Sequence, residues 1–200
     1  MSADTRDQIL TAARDLFADR GFEQTSLREI AARVGITKAA LYYHFPSKAE
    51  LLEVLVAPAF EGIRDVLVEW ERAEGDIEQW QAALERLVDW MLDQEQLFIL
   101  IDRNIEAIDG LAQQSEHFDA HRDFHDRVAR LLGDPSRPLI DRLRVVSAIG
   151  AAAAMFTLGG RVPADADPRD VRAALLGIVR AVLTAEPVPA LPRPTAPAAV

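Results

Sequence analysis

The sequence predicts an all-α fold, with an N-terminal three-helix unit holding a helix-turn-helix joined to a larger C-terminal helical domain. Two observations carry this. Apolar residues recur at helical spacing along nearly the whole chain, and no convincing alternating strand appears. The helical stretches are also bounded by side chains that cap helices and by Gly and Pro that break them.

The elements follow in order. From Thr5 to Arg20, Leu10, Ala13 and Phe17 share one helical face, and Gly21 ends the helix as a left-handed cap. In TSLREIAARVG, Ser26 and Glu29 form a capping box that opens a second helix. Leu27, Ile30, Ala31 and Val34 are its buried stripe, and Gly35 stops it. Thr37 caps a third short helix, with Leu41 and Phe45 facing inward, and Pro46 ends it. Two short helices around a tight glycine turn, behind a supporting helix, are the anatomy of a helix-turn-helix. Ser47 with Glu50 opens the next helix, expected to run to about Trp70 with a kink or break at Pro58. Further helices are expected at about 77–93, 95–109, 114–133, 138–159 and 168–185. Their separators are Gly75-Asp76, Asp109-Gly110, Gly133-Asp134-Pro135 and the stretch from Gly159-Gly160 to Pro168. The division expected is a DNA-binding unit at 1–50, a second domain at 51–186, and a Pro/Ala-rich tail at 187–200 that reads as extended or disordered.

Composition narrows the function. With no cysteine there are no disulfides, no thiol nucleophile and no cysteine-ligated zinc. The longest uncharged run, Val145 to Gly160, has sixteen residues, fewer than the ~20 of a spanning helix. It reads as a buried helix that lets a neighbour approach closely. With no apolar signal core behind MSADTRDQIL, a cytoplasmic protein with no membrane partner is expected.

A net charge of -10 argues against a nucleic-acid partner, but its distribution argues for one. Residues 1–50 hold seven basic and seven acidic side chains, whereas residues 51–200 hold 15 and 25. The only two lysines, Lys38 and Lys48, flank LYYHF. With Leu41 and Phe45 turned to the core, Lys38, Ala39, Tyr42, Tyr43 and His44 lie elsewhere on a short exposed helix that suits a major groove. Lys48 falls in a first helical turn, where free N–H groups and the dipole favour a phosphate. Thr25, Ser26 and Arg28 do an equivalent job at the preceding short helix.

The segment ILTAARDLFADRGFEQTSLREIAARVGITKAALYYHFPSKAELL resembles the N-terminal DNA-binding domain of the tetracycline-repressor (TetR) family of bacterial regulators. The likeness covers about residues 5–55 and rests on Phe17 with Gly21-Phe22, Thr25-Ser26, Ile30-Ala31, Gly35, and Leu41 to Phe45 followed by Lys48. It implies DNA contacts at Thr25, Ser26, Arg28, Thr37, Lys38, Ala39, Tyr42, Tyr43, His44 and Lys48. It also implies a homodimer on a palindromic double-stranded operator, built through the last two long helices. A small-molecule effector of unknown identity would bind the C-terminal domain, shift the connecting helix and release the DNA, with no cofactor.

The C-terminal sequence agrees with a receptor. Trp70, Trp90, Met91, Phe98, Phe118, His121, Phe124 and Phe156 are candidate pocket residues between helices, although most such side chains must be core. Asp102, Arg103, Asn104 and Glu106 could supply a polar end to a pocket, but read rather as capping and solvating a helix turn. His117, His121 and His125 stand at i, i+4 and i+8 on one helix face and are candidate metal ligands, but no Glu follows His117 as a zincin requires, and no metal is assigned. For the dimer, Ala148, Gly150 and Ala151 to Ala154, beside Val145, Val146, Ile149 and Phe156, are expected to form a seam with Leu175, Leu176, Ile178, Val179 and Val182. The competing functions are an architectural DNA binder without an effector and a metal-dependent enzyme using the histidines. No Gly-rich phosphate loop, nucleophile elbow or strand-borne triad supports an enzyme.

Overall fold

The computed structural model describes residues 3–72, 77–114, 118–157 and 165–187, and these form α-helices with no strand among them. α1 (Ala3–Arg20), α2 (Leu27–Val34) and α3 (Lys38–His44) make the N-terminal unit. α4 (Lys48–Arg72) leads out of it to α5 (Ile77–Asp93), α6 (Glu95–Gln114), α7 (Asp119–Gly133), α8 (Leu139–Thr157) and α9 (Pro168–Thr184). The His117 candidate, the Gly75-Asp76 and Gly159-Gly160 breakers and the tail beyond Pro187 lie outside the described residues.

The caps form as the sequence predicts. Glu29 N–H donates to Ser26 Oγ at 3.2 Å, and Ser26 N–H donates to the Glu29 carboxylate at 2.9 Å. Gly35 closes α2 at φ +77°, a conformation that would cost another L-residue about 1–2 kcal/mol. Thr37 Oγ1 accepts the Ala40 N–H at 3.1 Å and starts α3. Phe17, Ile30, Leu41, Phe45, Leu51 and Leu52 are fully or almost fully buried, so the start of α4 completes the core of the N-terminal unit. Each such side chain contributes about 1.5–3 kcal/mol on burial.

The same helix then builds the second core with Ala59, Phe60, Ile63, Val66, Leu67 and Trp70. α4 packs on α5, α6 and α7 as well as on α1. At Gly62 the Trp90 ring of α5 lies so close that a Cβ would stand 2.7 Å from it. The break expected at Pro58 is absent: α4 runs unbroken from Lys48 to Arg72. Pro58 lies on the exposed side, where solvent can satisfy the carbonyl left without its N–H partner. The helix boundary expected at Asp109-Gly110 is also absent, because α6 continues to Gln114.

The distortion sits instead inside α6, at Asn104, whose φ of -120° and ψ of 15° depart from the helix. Far from solvating a turn, this side chain is only 3 % exposed. Its Oδ1 accepts the Phe22 N–H at 2.6 Å, and its Nδ2 donates to Phe17 O at 3.2 Å and Leu100 O at 2.7 Å. Arg103 adds a bond to Asp19 O at 3.4 Å. Side chains of α6 therefore bond carbonyls of the C-terminal turn of α1, the Phe17 oxygen also accepting the Gly21 N–H at 3.0 Å.

α8 and α9 are antiparallel, since Arg144 near the start of α8 donates to Ala185 O just past α9. The seam expected between two chains is largely internal. Val145, Ala148, Ile149, Ala152 and Phe156 are buried within one chain, as are Leu175, Leu176 and Val179. The outward side carries other residues: Leu139, Leu143 and Ile178 are exposed, as are Ser147, Gly150 and Gly177.

Replacing Asn104 by Ala strips the buried Phe22 N–H of this acceptor. Urea unfolding of Asn104→Ala is expected to show a loss of about 1–3 kcal/mol, the usual cost of stranding a buried donor. A variant as stable as the parent would mean that the α1–α6 link contributes nothing.

Candidate nucleic-acid interface

α3 presents its polar face outward because Leu41, at its centre, is fully buried and fixes its rotation. Thr37, Lys38, Ala39, Tyr42 and Tyr43 are exposed, and Tyr43 reaches 78 %. Lys38 Nζ lies 5.3 Å from the centre of the Tyr42 ring, one turn along the helix. Next to this face, the exposed Ser26 and Arg28 stand at the start of α2. Glu23, Thr25, Ser26, Leu27, Arg28, Lys38, Tyr42 and Lys48 line one open groove. A major groove about 12 Å wide admits one such helix, with phosphate contacts from its flanks.

The Ser26 hydroxyl both caps α2 and donates to Glu29 at 2.7 Å. These bonds hold the Glu29 carboxyl below its ordinary range, with Arg20 adding a smaller pull. The carboxylate half of the cap therefore persists into acid and weakens as pH falls through this lowered value, while the Glu29 N–H bond to Ser26 Oγ does not titrate.

Three expected contact residues have a structural part in the fold. Thr25 is 3 % exposed and turned inward; its Oγ1 donates to Gly21 O at 2.9 Å. It shapes the α1–α2 turn from below, and its side chain offers the groove little surface. The Lys48 ammonium donates to Phe22 O at 2.7 Å and Thr25 O at 3.0 Å, and lies 4.0 Å from the centre of the Phe22 ring. Partial burial lowers its pKa, against a smaller upward pull from Glu23. Lys48 thus staples α4 to the turn before α2, and one ammonium N–H is left for a phosphate. His44 is half-buried beside Tyr43, their rings 5.4 Å apart, and its Nε2 is buried without a partner. Phe22 is legible in the sequence only as part of the Gly21-Phe22 turn; its place beneath Lys48 depends on a lysine 26 positions away.

The residues expected to line an effector pocket divide into separate groups. Trp90 stacks on Phe98 at 5.7 Å and Phe98 on Phe156 at 5.3 Å, while Met91 is buried in the same core. Phe60 of α4 meets both His121 at 4.8 Å and Phe124 at 6.0 Å. Trp70 packs on Trp80 elsewhere, beside a cleft of about 190 Å³. Phe118 precedes α7 at φ +73°, and its N–H donates to Glu53 of α4 at 2.8 Å. Of the histidine stripe, His121 and His125 converge, with ring Nε2 atoms 3.1 Å apart. Asp109 of α6 joins them, 3.2 Å from His121 Nε2. Spacing along one helix could not have revealed this carboxylate, which arrives from another.

Residues 9–55 match the family model described as bacterial regulatory proteins, tetR family. Over 116 residues the chain is 28% identical to the HTH-type transcriptional repressor BepR of Brucella suis biovar 1 (strain 1330), covering 56% of each. Over 103 residues it is 37% identical to the HTH-type transcriptional activator FasR of Mycolicibacterium smegmatis, covering 50% of this chain and 46% of FasR. The chain spans about half the length of these curated relatives. Its fold is similar to that of NalD, the secondary repressor of the MexAB-OprM multidrug efflux pump in Pseudomonas aeruginosa. The TM-score is 0.59 at 21% identity, over 90% of this chain and 96% of NalD.

The two lysines are expected to fail differently. Lys48→Ala removes two charged hydrogen bonds at a half-exposed site and should cost about 1–2 kcal/mol of folding stability. Lys38→Ala should change stability by no more than about 0.5 kcal/mol. Thermal and urea unfolding read both, and equal stabilities would remove the staple role from Lys48.

Proposed function

We propose that this chain, a member of the TetR family, is a DNA-binding transcriptional regulator that holds a palindromic operator as a dimer and releases it when a small-molecule effector binds. The observation that carries the reading is the exposed face of α3, with Lys38, Ala39, Tyr42 and Tyr43 beside Ser26 and Arg28 at the start of α2. Against a net charge of -10, Arg28, Lys38 and Lys48 gather cationic side chains at one groove. Repression is the proposed direction, in keeping with the names of BepR and NalD. The chain's family relatives are regulators rather than enzymes. Among the described residues no helix is long and apolar enough to cross a membrane.

Dimerisation is proposed through the outward side of α8 and α9. Leu139, Leu143 and Ile178 are 58 %, 44 % and 51 % exposed there, with Gly150 and Gly177 permitting close approach. This face takes the place of Ala152, which is buried inside the chain. The aromatic groups around Phe98 and Phe60 are proposed to part around an effector, since helical bundles bind ligands between their helices.

Selection of bound duplexes from a random DNA pool tests the main reading. The expected result is an inverted-repeat motif whose affinity falls steeply with salt; no enrichment over the starting pool would overturn it. Arg28→Ala should weaken selected and random DNA alike and make the salt slope shallower, as loss of a phosphate contact does. Ile178→Arg should yield monomers in sedimentation and lose the inverted repeat, and a stable dimer would move the interface elsewhere.

A further inference from the structure

We propose that Asp109, His121 and His125 form a divalent transition-metal site that bridges α6 and α7 and sets the position of α6. Three donor atoms from these residues lie within 4.8 Å of one another. His121 is buried, while Asp109 and His125 are exposed at its rim, so an ion can enter from solvent. Two ligands about 2.0–2.1 Å from a zinc ion at the tetrahedral angle stand about 3.3 Å apart. The separations of 3.1 Å between the histidine Nε2 atoms and 3.2 Å from His121 Nε2 to Asp109 Oδ1 match that spacing. Two imidazoles and one carboxylate are a donor set suited to zinc, cobalt or nickel rather than to magnesium or calcium. Three protein ligands leave a fourth position for water or a small effector.

Protons satisfy this cluster poorly. The two Nε2 atoms face each other, so only one can donate while the other accepts. A cation between the three groups uses both Nε2 lone pairs and the carboxylate at once, while the buried His121 Nδ1 has no protein partner in either state. The nearby Arg122 is already engaged by Asp119 and by Ala112 O, which limits its repulsion of a cation.

The consequence for DNA rests on the regulator reading above; the site itself does not. Asp109 lies five residues beyond Asn104 on α6, about 7.5 Å along the axis. Asn104 holds the α1–α2 turn, and His121 packs on Phe60 of α4, the helix that enters the N-terminal unit. An ion that ties α6 to α7 therefore constrains both connections between the two parts of the molecule.

The test uses the full chain freed of metal by a chelator and then dialysed. Cobalt(II) is titrated while its visible ligand-field absorption is followed, and zinc(II) affinity is read by competition and equilibrium dialysis. One ion per chain is expected, with affinity reduced at least tenfold in Asp109→Asn and in His125→Ala. Both positions are exposed, and circular dichroism checks that each variant folds. Wild-type protein that binds zinc no more tightly than the double variant overturns the site. In a second arm, affinity for the selected operator should change at least fivefold with zinc in the wild type and not in the double variant. Zinc binding without any change in operator affinity overturns the regulatory part. A protein that binds no DNA in either state overturns the proposed function, while the dialysis result still decides the site.

Discussion

The buried amide of Asn104 is the constraint on which the relation between the two parts of this molecule depends. A helix-turn-helix of some 45 residues has little core of its own, and here its C-terminal anchor is the start of α4. That alone leaves it hinged. The Asn104 bonds to Phe22 N–H and Phe17 O supply a second point of attachment, from a different helix. Two attachments fix an orientation where one fixes only a position. The non-helical backbone falls at this same residue, whose side chain also donates to the Leu100 carbonyl one turn back.

The presentation of α3 follows from several such fixings. Leu41 sets its rotation, Gly35 its distance from α2, and Lys48 the turn on which α2 begins. A lysine spent on backbone carbonyls looks wasteful for a DNA-binding surface. Its geometry explains the choice. The ammonium ties Phe22 O to Thr25 O across the turn and lies over the Phe22 ring.

α6 emerges as the element through which the second part of the chain can influence the first. It carries Asn104 toward the α1–α2 turn and Asp109 toward α7. α4, long and unbroken through its exposed Pro58, is the other route. A change in the packing of α7, where Phe60, His121 and Phe124 meet, therefore reaches both routes.

The N-terminal unit was legible in the sequence because its determinants are local. A capping box spans three residues, a glycine cap one, and the Leu41–Phe45 stripe a single turn, so periodicity and caps alone give the helices and the outward face of α3. What escaped depends on how the elements pack on one another rather than on helical periodicity. Thr25 turned inward because α1 offers it carbonyls, and Lys48 because Phe22 lies beneath it. Asn104 read as a solvated turn residue until α1 closed over it. The alanine-rich run of α8 announced close helix packing but not the partner, because small residues seat an intramolecular helix as well as a second chain. Asp109 meets the histidines only through the crossing of α6 and α7. The sequence by itself determined the helices, their caps and the groove-facing surface, because those follow from neighbours within a few residues. Only the tertiary structure decided which polar side chains are spent inside the fold and which converge across it, because burial and hydrogen bonding there are set by how helices cross, through contacts that reach 26 residues for Lys48 and 82 for Asn104.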